Sequence, residues 1–150
     1  MSGGMWDLLM RVLMVGLGGA FGALARYGTS IWLNERDLIP WGTLAVNLTG
    51  CFLLALFLTV VLSRFSGGSF FVLAVSTGFV GSFTTFSAIS VESVLLMQYF
   101  IHMALLYLLL TLTLGYICTW AGWAVGNLVL GSGWGERWCG KVFAGGKGND

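Results

Sequence analysis

Four long apolar stretches separated by short polar interruptions set the pattern of this chain. The first runs from about Trp6 to Leu33 and gives way to Asn34, Glu35, Arg36 and Asp37, which read as a loop. Pro40 opens the second, a position where proline's missing N–H costs a helix nothing, and the apolar run continues to Leu62. Arg64, Gly67 and Gly68 form the next turn. The third stretch extends from about Ser69 to Met97, a short turn around His102 follows, and the fourth covers about Met103 to Val129. A helix needs roughly 20 apolar residues to cross a hydrocarbon core, and each stretch reaches that length if Arg26 sits near an end or against protein. The pattern predicts four transmembrane helices.

Composition agrees with this reading and excludes others. Charged residues make up 9% of the chain and hydrophobic residues 57%, with a mean hydropathy of +0.90, so a water-soluble surface cannot be built. Seven basic and six acidic side chains are too few and too scattered for a nucleic-acid surface. Cys51 and Cys118 fall in apolar stretches and Cys139 in a polar one, without the paired spacing of a disulfide framework or a zinc site. Residues 1–130 read as one membrane domain, and the glycine-rich residues 131–150 as a flexible polar tail. Arg11, the apolar run after it and Ala23-Leu24-Ala25 imitate a secretory signal with its cleavage site; cleavage would discard a glycine-rich face, so the segment is expected to be kept.

Polarity returns inside the third stretch. From Ser76 to Glu92 the chain reads STGFVGSFTTFSAISVE, and each polar group placed at membrane depth must find a partner or cost roughly several kcal/mol. Together with Thr43, Asn47 and Thr49 of the second stretch, Thr77, Ser82, Thr84, Thr85, Ser87 and Ser90 look like the lining of a pathway without a lysine or arginine. Hydroxyl and amide donors can replace water around a small anion without the trap that a full charge would make. Phe86 adds a ring edge, which carries the positive end of the aromatic quadrupole. Gly78 and Gly81 mark a place where the helix can break, exposing carbonyls that would suit a cation. An unbroken helix whose hydroxyls bond the preceding turn fits the same residues.

Gly18 and Gly22 in the first stretch, and Gly122 and Gly126 in the fourth, have the G-x-x-x-G spacing that brings helices close, either within one chain or between copies. With four spans, Arg11, Arg64, Arg137, Lys141 and Lys147 fall on one side and Arg26 and Arg36 on the other. Without the tail the two sides nearly balance, a weak orientation signal that would let the chain insert both ways.

Three motifs carry a resemblance. GGAFGALARY (Gly18 to Tyr27), GTLAVNLTG (Gly42 to Gly50) and GFVGSFTTFSAISVE (Gly78 to Glu92) stand in the order and spacing of the CrcB/Fluc family of fluoride channels, and the likeness covers about residues 8 to 129. The resemblance implies an all-α membrane protein of four transmembrane helices with a break in the third, not an enzyme, paired as an antiparallel, dual-topology homodimer. It implies fluoride as the passenger, two pores, passive electrogenic export from the cytoplasm, and the bacterial inner membrane with its lipid as the setting.

It further implies one central structural sodium ion on the backbone carbonyls of Gly81 and Thr84 from both subunits. Fluoride would pass Asn47 and Phe86, which match the family's pore asparagine and first pore phenylalanine, beside Thr85, Ser87 and Thr43. Tyr107 and Thr111, four residues apart on one helix face, are candidates for a polar track. Two places depart from the family. Its second pore phenylalanine is Ile89 here, which keeps the helix face and loses the ring edge, and its second glycine after Gly81 is Ser82. Arg26 is read as a vestibule or structural charge, and Glu92 as an interfacial carboxylate or an ion-entry group. Rival classes are a proton-coupled small-multidrug-type exporter, which needs a carboxylate that the first stretch between Arg11 and Asn34 lacks, and a non-transporting membrane assembly protein.

Overall fold

The computed structural model describes residues 3–33, 39–61 and 69–131. The expected loop at Asn34–Asp37, the turn at Arg64 and the tail from 132 onward lie outside the described residues. Within them every element is helical, with no strand. Helix α1 spans Gly3–Leu33 and α2 spans Trp41–Val61. The third span is segmented into α3 (Phe70–Leu73), a π-helical stretch (Ala74–Val80), α4 (Gly81–Phe83) and α5 (Phe86–Tyr99). Helix α6 covers Ile101–Leu130. All four spans are long and apolar enough to cross a membrane, which makes this an integral multi-pass membrane protein. The turn expected around His102 falls instead at Phe100, whose φ of −146° and ψ of 87° interrupt the helix for one residue. Its N–H still reaches Leu96 O (2.7 Å) and its carbonyl accepts from Met103 N (3.0 Å) and Ala104 N (3.2 Å), so α6 restarts at once and takes in His102.

Glycines decide which spans touch. A Cβ on Gly18 would fall on the carbonyl oxygen of Ala74, and one on Gly22 on that of Phe79. From the other side, a Cβ on Gly78 would lie 2.6 Å from Val15 O, 3.1 Å from Gly19 N and 3.2 Å from Gly18 Cα. Backbone therefore meets backbone along α1 and the π stretch, a contact only glycine permits. The second pair brings α6 close to α2, where Gly122 faces the backbone at Phe52 O and a Cβ on Gly126 would come within 2.8 Å of the Thr59 side chain at Cβ. Of the two uses that the spacing allows, both pairs serve packing within one chain. Arg11 adds a tie at one end, with its guanidinium 5.4 Å from the centre of the Phe70 ring.

The buried core, Leu44, Ile89, Leu96, Ala104 and Tyr107, lies among α2, α5 and α6. The outward faces of α1 and α6 expose Leu8, Val12, Phe21, Leu24, Leu105, Leu109 and Leu112. An apolar surface this continuous suits hydrocarbon or another protein, and not water.

Candidate functional site at the polar junction of the third span

Between α4 and α5 two residues leave helical geometry. Thr84 has φ −75° and ψ 156°, and Thr85 has φ −149° and ψ 119°. Thr84 keeps its N–H and its Oγ1–H on Val80 O, each at 3.0 Å, which ends the upstream helix. Thr85 starts the next one: its Oγ1 accepts from Ala88 N at 3.2 Å, the side-chain cap expected of threonine before a helix. It also lies 3.2 Å from Ser87 Oγ.

Helix α2 supplies the seat for this link. Asn47 donates from Nδ2 to Thr85 O (3.1 Å) and accepts at Oδ1 from Thr85 N (2.7 Å), with both residues buried. One turn on, the space left by Gly50 receives the Thr84 methyl group. One turn back, Thr43 donates to Glu92 Oε1 at 2.6 Å. Thr43, Asn47 and Gly50 stand at the i, i+4, i+7 spacing of a single helix face, and all three meet the third span.

Two carbonyls are released by these arrangements. In a continuing helix Gly81 O would accept from Thr85 N and Thr84 O from Ala88 N. Those two donors go instead to Asn47 Oδ1 and Thr85 Oγ1. Gly81 itself has φ −62°, and a Cβ there would touch only Ser76 O, at 3.8 Å. A small side chain fits at 81 within one chain, so the glycine is not required by local backbone geometry.

Glu92 collects a second donor, since Tyr107 Oη–H bonds Oε2 at 2.8 Å. Each carboxylate oxygen thus receives one hydroxyl, from α2 and from α6, and Tyr107 is fully buried. All three residues are candidates on the sequence alone, which does not show that they meet. A carboxylate near a helix end reads as a cap, and nothing in the spacing of Thr43 and Tyr107 points to Glu92. Hydrogen bonds to a charged group are worth about 1.5–3 kcal/mol. Tyr107→Phe keeps the ring and loses that donor, so we expect a lowered thermal midpoint in detergent; an unchanged midpoint would show that the bond contributes nothing.

The other candidates divide. Phe86 projects from the first turn of α5 and is 83% exposed, while Ile89, three residues on, is packed into the core beside Tyr107. Phe86 and Ile89 therefore do not share an environment within one chain. Ser87 and Ser90 are exposed, and Ser90 Oγ bonds Phe86 O at 3.1 Å. Thr111 turns its hydroxyl onto Tyr107 O of its own helix at 2.8 Å, so it does not continue the line from Tyr107 to Glu92. Thr49 and Thr77 are exposed, and Arg26 is half-buried two turns before the end of α1.

Residues 13–123 match the family described as "CrcB-like protein, Camphor Resistance (CrcB)". The chain belongs to the CrcB family. It is 43% identical over 124 residues to a protein of Acidobacterium capsulatum named "Fluoride-specific ion channel FluC", covering 81% of this chain and 99% of that one. A protein of the same name from Paracidovorax citrulli is 42% identical over 116 residues, 77% of this chain and 92% of its own. "Fluoride-specific ion channel FluC 2" of Geobacillus kaustophilus is 43% identical over 118 residues, again 77% and 92% of the two chains. The CrcB match takes in the junction, the face of α2 that seats it, and Tyr107.

Proposed function

We propose that this protein is a fluoride channel of the bacterial inner membrane, through which cytoplasmic fluoride leaves passively and electrogenically before it becomes toxic. The observation that carries the reading is the polar junction at Thr84–Thr85, in a chain that matches fluoride-specific channels over nearly their full length. A small, strongly hydrated anion needs close donors on several sides. Asn47 retains one Nδ2–H beyond the bond to Thr85, and the hydroxyls of Thr85 and Ser87 and the ring edge of Phe86 lie at the same junction. Thr43, Glu92 and Tyr107 form the polar flank on one side of it, with Arg26 a further charge toward that end.

The working unit in this reading is an antiparallel homodimer of dual topology. Near-balanced flanking charges support insertion in both directions, and an exposed phenylalanine beside mid-span hydroxyls supports a second copy covering that face. A sodium ion at the two-fold axis fits the donor set, because Gly81 and Thr84 each have a carbonyl freed from the helix ladder. Such an ion would be held by the carbonyls of Gly81 and Thr84 from each copy and would supply fixed positive charge there; hard cations take oxygen ligands.

Purified protein in liposomes loaded with fluoride should release it on addition of a potassium ionophore that relieves the charge build-up, and should retain chloride under the same conditions. Equal fluxes of the two halides would remove the proposal. Fluoride release that demands a proton gradient would make the protein a coupled transporter, with Glu92 as its mid-span carboxylate.

A further inference from the structure

The Asn47 side chain faces Thr85 as a peptide would. In an extended residue the N–H and C=O point to the same side, which is how paired strands exchange two bonds. Thr85 is extended, and the carboxamide of Asn47 completes both bonds, 2.7 Å to its N–H and 3.1 Å to its carbonyl. Reversing the amide would set donor against donor and acceptor against acceptor, so the pair of bonds also fixes which way the amide points. Every other hydrogen bond at Thr84 and Thr85 is local to the third span, to Val80, Ser87 or Ala88. Asn47 is the side chain that carries a hydrogen bond to this link from another helix.

We propose that Asn47 is a positioning residue that holds the extended Thr84–Thr85 link against α2 and thereby sets the direction in which α5 leaves the junction and presents Phe86. Without the carboxamide, Thr85 N–H and C=O are buried polar groups with no partner, and the backbone regains them most cheaply by returning N–H to Gly81 O and closing the helix. That closure would rotate Phe86 relative to α2 and withdraw the Gly81 carbonyl. The second Nδ2–H remains free for an ion, but its direction is a consequence of the first two bonds. The flux part of the test rests on the proposed fluoride conduction; the spectroscopic part does not.

The test uses full-length protein labelled with 15N,13C-threonine in lipid bilayers, with Thr85 resonances identified by their loss in Thr85→Ser. Asn47→Leu removes both bonds at similar volume. Its Thr85 Cα and carbonyl carbons should move downfield, from extended toward helical values, as the N–H returns to Gly81 O, and fluoride efflux should fall about tenfold or more. Asn47→Asp keeps the acceptor for Thr85 N–H and loses the donor to Thr85 O, and it serves if the leucine variant does not fold. In that variant the Thr85 carbonyl carbon should shift upfield while the amide stays protected, and efflux should again fall. Thr85 resonances unchanged in both variants, with efflux lost, would overturn the proposal and leave Asn47 as an ion ligand alone. A parent protein that passes no fluoride would sink the channel reading, and the Thr85 resonances would still decide the role of Asn47.

Discussion

Phe86→Ile should reduce fluoride efflux from liposomes to near background while the protein elutes from a sizing column like its parent. The ring is 83% exposed in the single chain, so removing it withdraws little packing from the fold, and a loss of flux can be assigned to the path. A lost anion donor costs about 1–3 kcal/mol, or roughly one to two decades in rate when it acts at the barrier. No second ring substitutes on this helix, since the residue one turn on is Ile89, which is buried against Tyr107. Adding a ring there by Ile89→Phe would overpack the core, at a cost of about 1–3 kcal/mol. That variant should therefore lower stability and not restore a two-ring site. Parent-like efflux from Phe86→Ile would move the path to the hydroxyls of Thr85 and Ser87.

Gly78→Val should abolish folded protein altogether. The atoms that its Cβ would meet are backbone of Val15, Gly18 and Gly19, the nearest at 2.6 Å, and backbone in a packed helix cannot swing aside as a side chain can. The added γ-methyl groups worsen the conflict. Native stability is commonly only about 5–15 kcal/mol, and separating α1 from the π stretch would forfeit a large part of the contact between two spans. The readout is the monodisperse fraction after detergent extraction. Gly16→Val is the control, because a Cβ at Gly16 has no atom of another span within 4 Å and should leave that fraction unchanged. A parent-like elution profile for Gly78→Val would show that the close approach of these spans is dispensable.

Hydropathy was sufficient to place the four spans to within a few residues, because hydrocarbon demands long apolar runs whatever the tertiary contacts. The hydroxyl cluster was legible for a related reason, since polar groups at membrane depth must have partners. Their identity was not legible. Thr43, Asn47 and Gly50 lie on one helix face by spacing alone, yet only the packing of α2 against the third span shows that they seat Glu92, Thr85 and Thr84 in turn. The π stretch from Ala74 to Val80 has no sequence signature of its own; its place becomes intelligible once Gly18, Gly22 and Gly78 are seen to press two backbones together. Phe86 and Ile89 had looked like one face because helical residues three apart are neighbours. The remaining 60° of rotation was enough to put one in the open and the other in the core.

The glycine contacts also bear on how the chain is assembled. Helix α1 finds its closest backbone contacts in the π stretch, and α2 finds its own in α6, so these contacts pass over the span that comes next in sequence. Sequential elements more often lie side by side. As the chain emerges, the sockets at Gly18 and Gly22 stay vacant until the third span has been made, and α2 waits longer still for Gly122 and Gly126. Until then the two inserted spans lack the backbone neighbours that their closest contacts later use. Loop closure over such separations slows folding, and a chain arrested before α6 would display the α2 faces that Gly122 and Gly126 later cover.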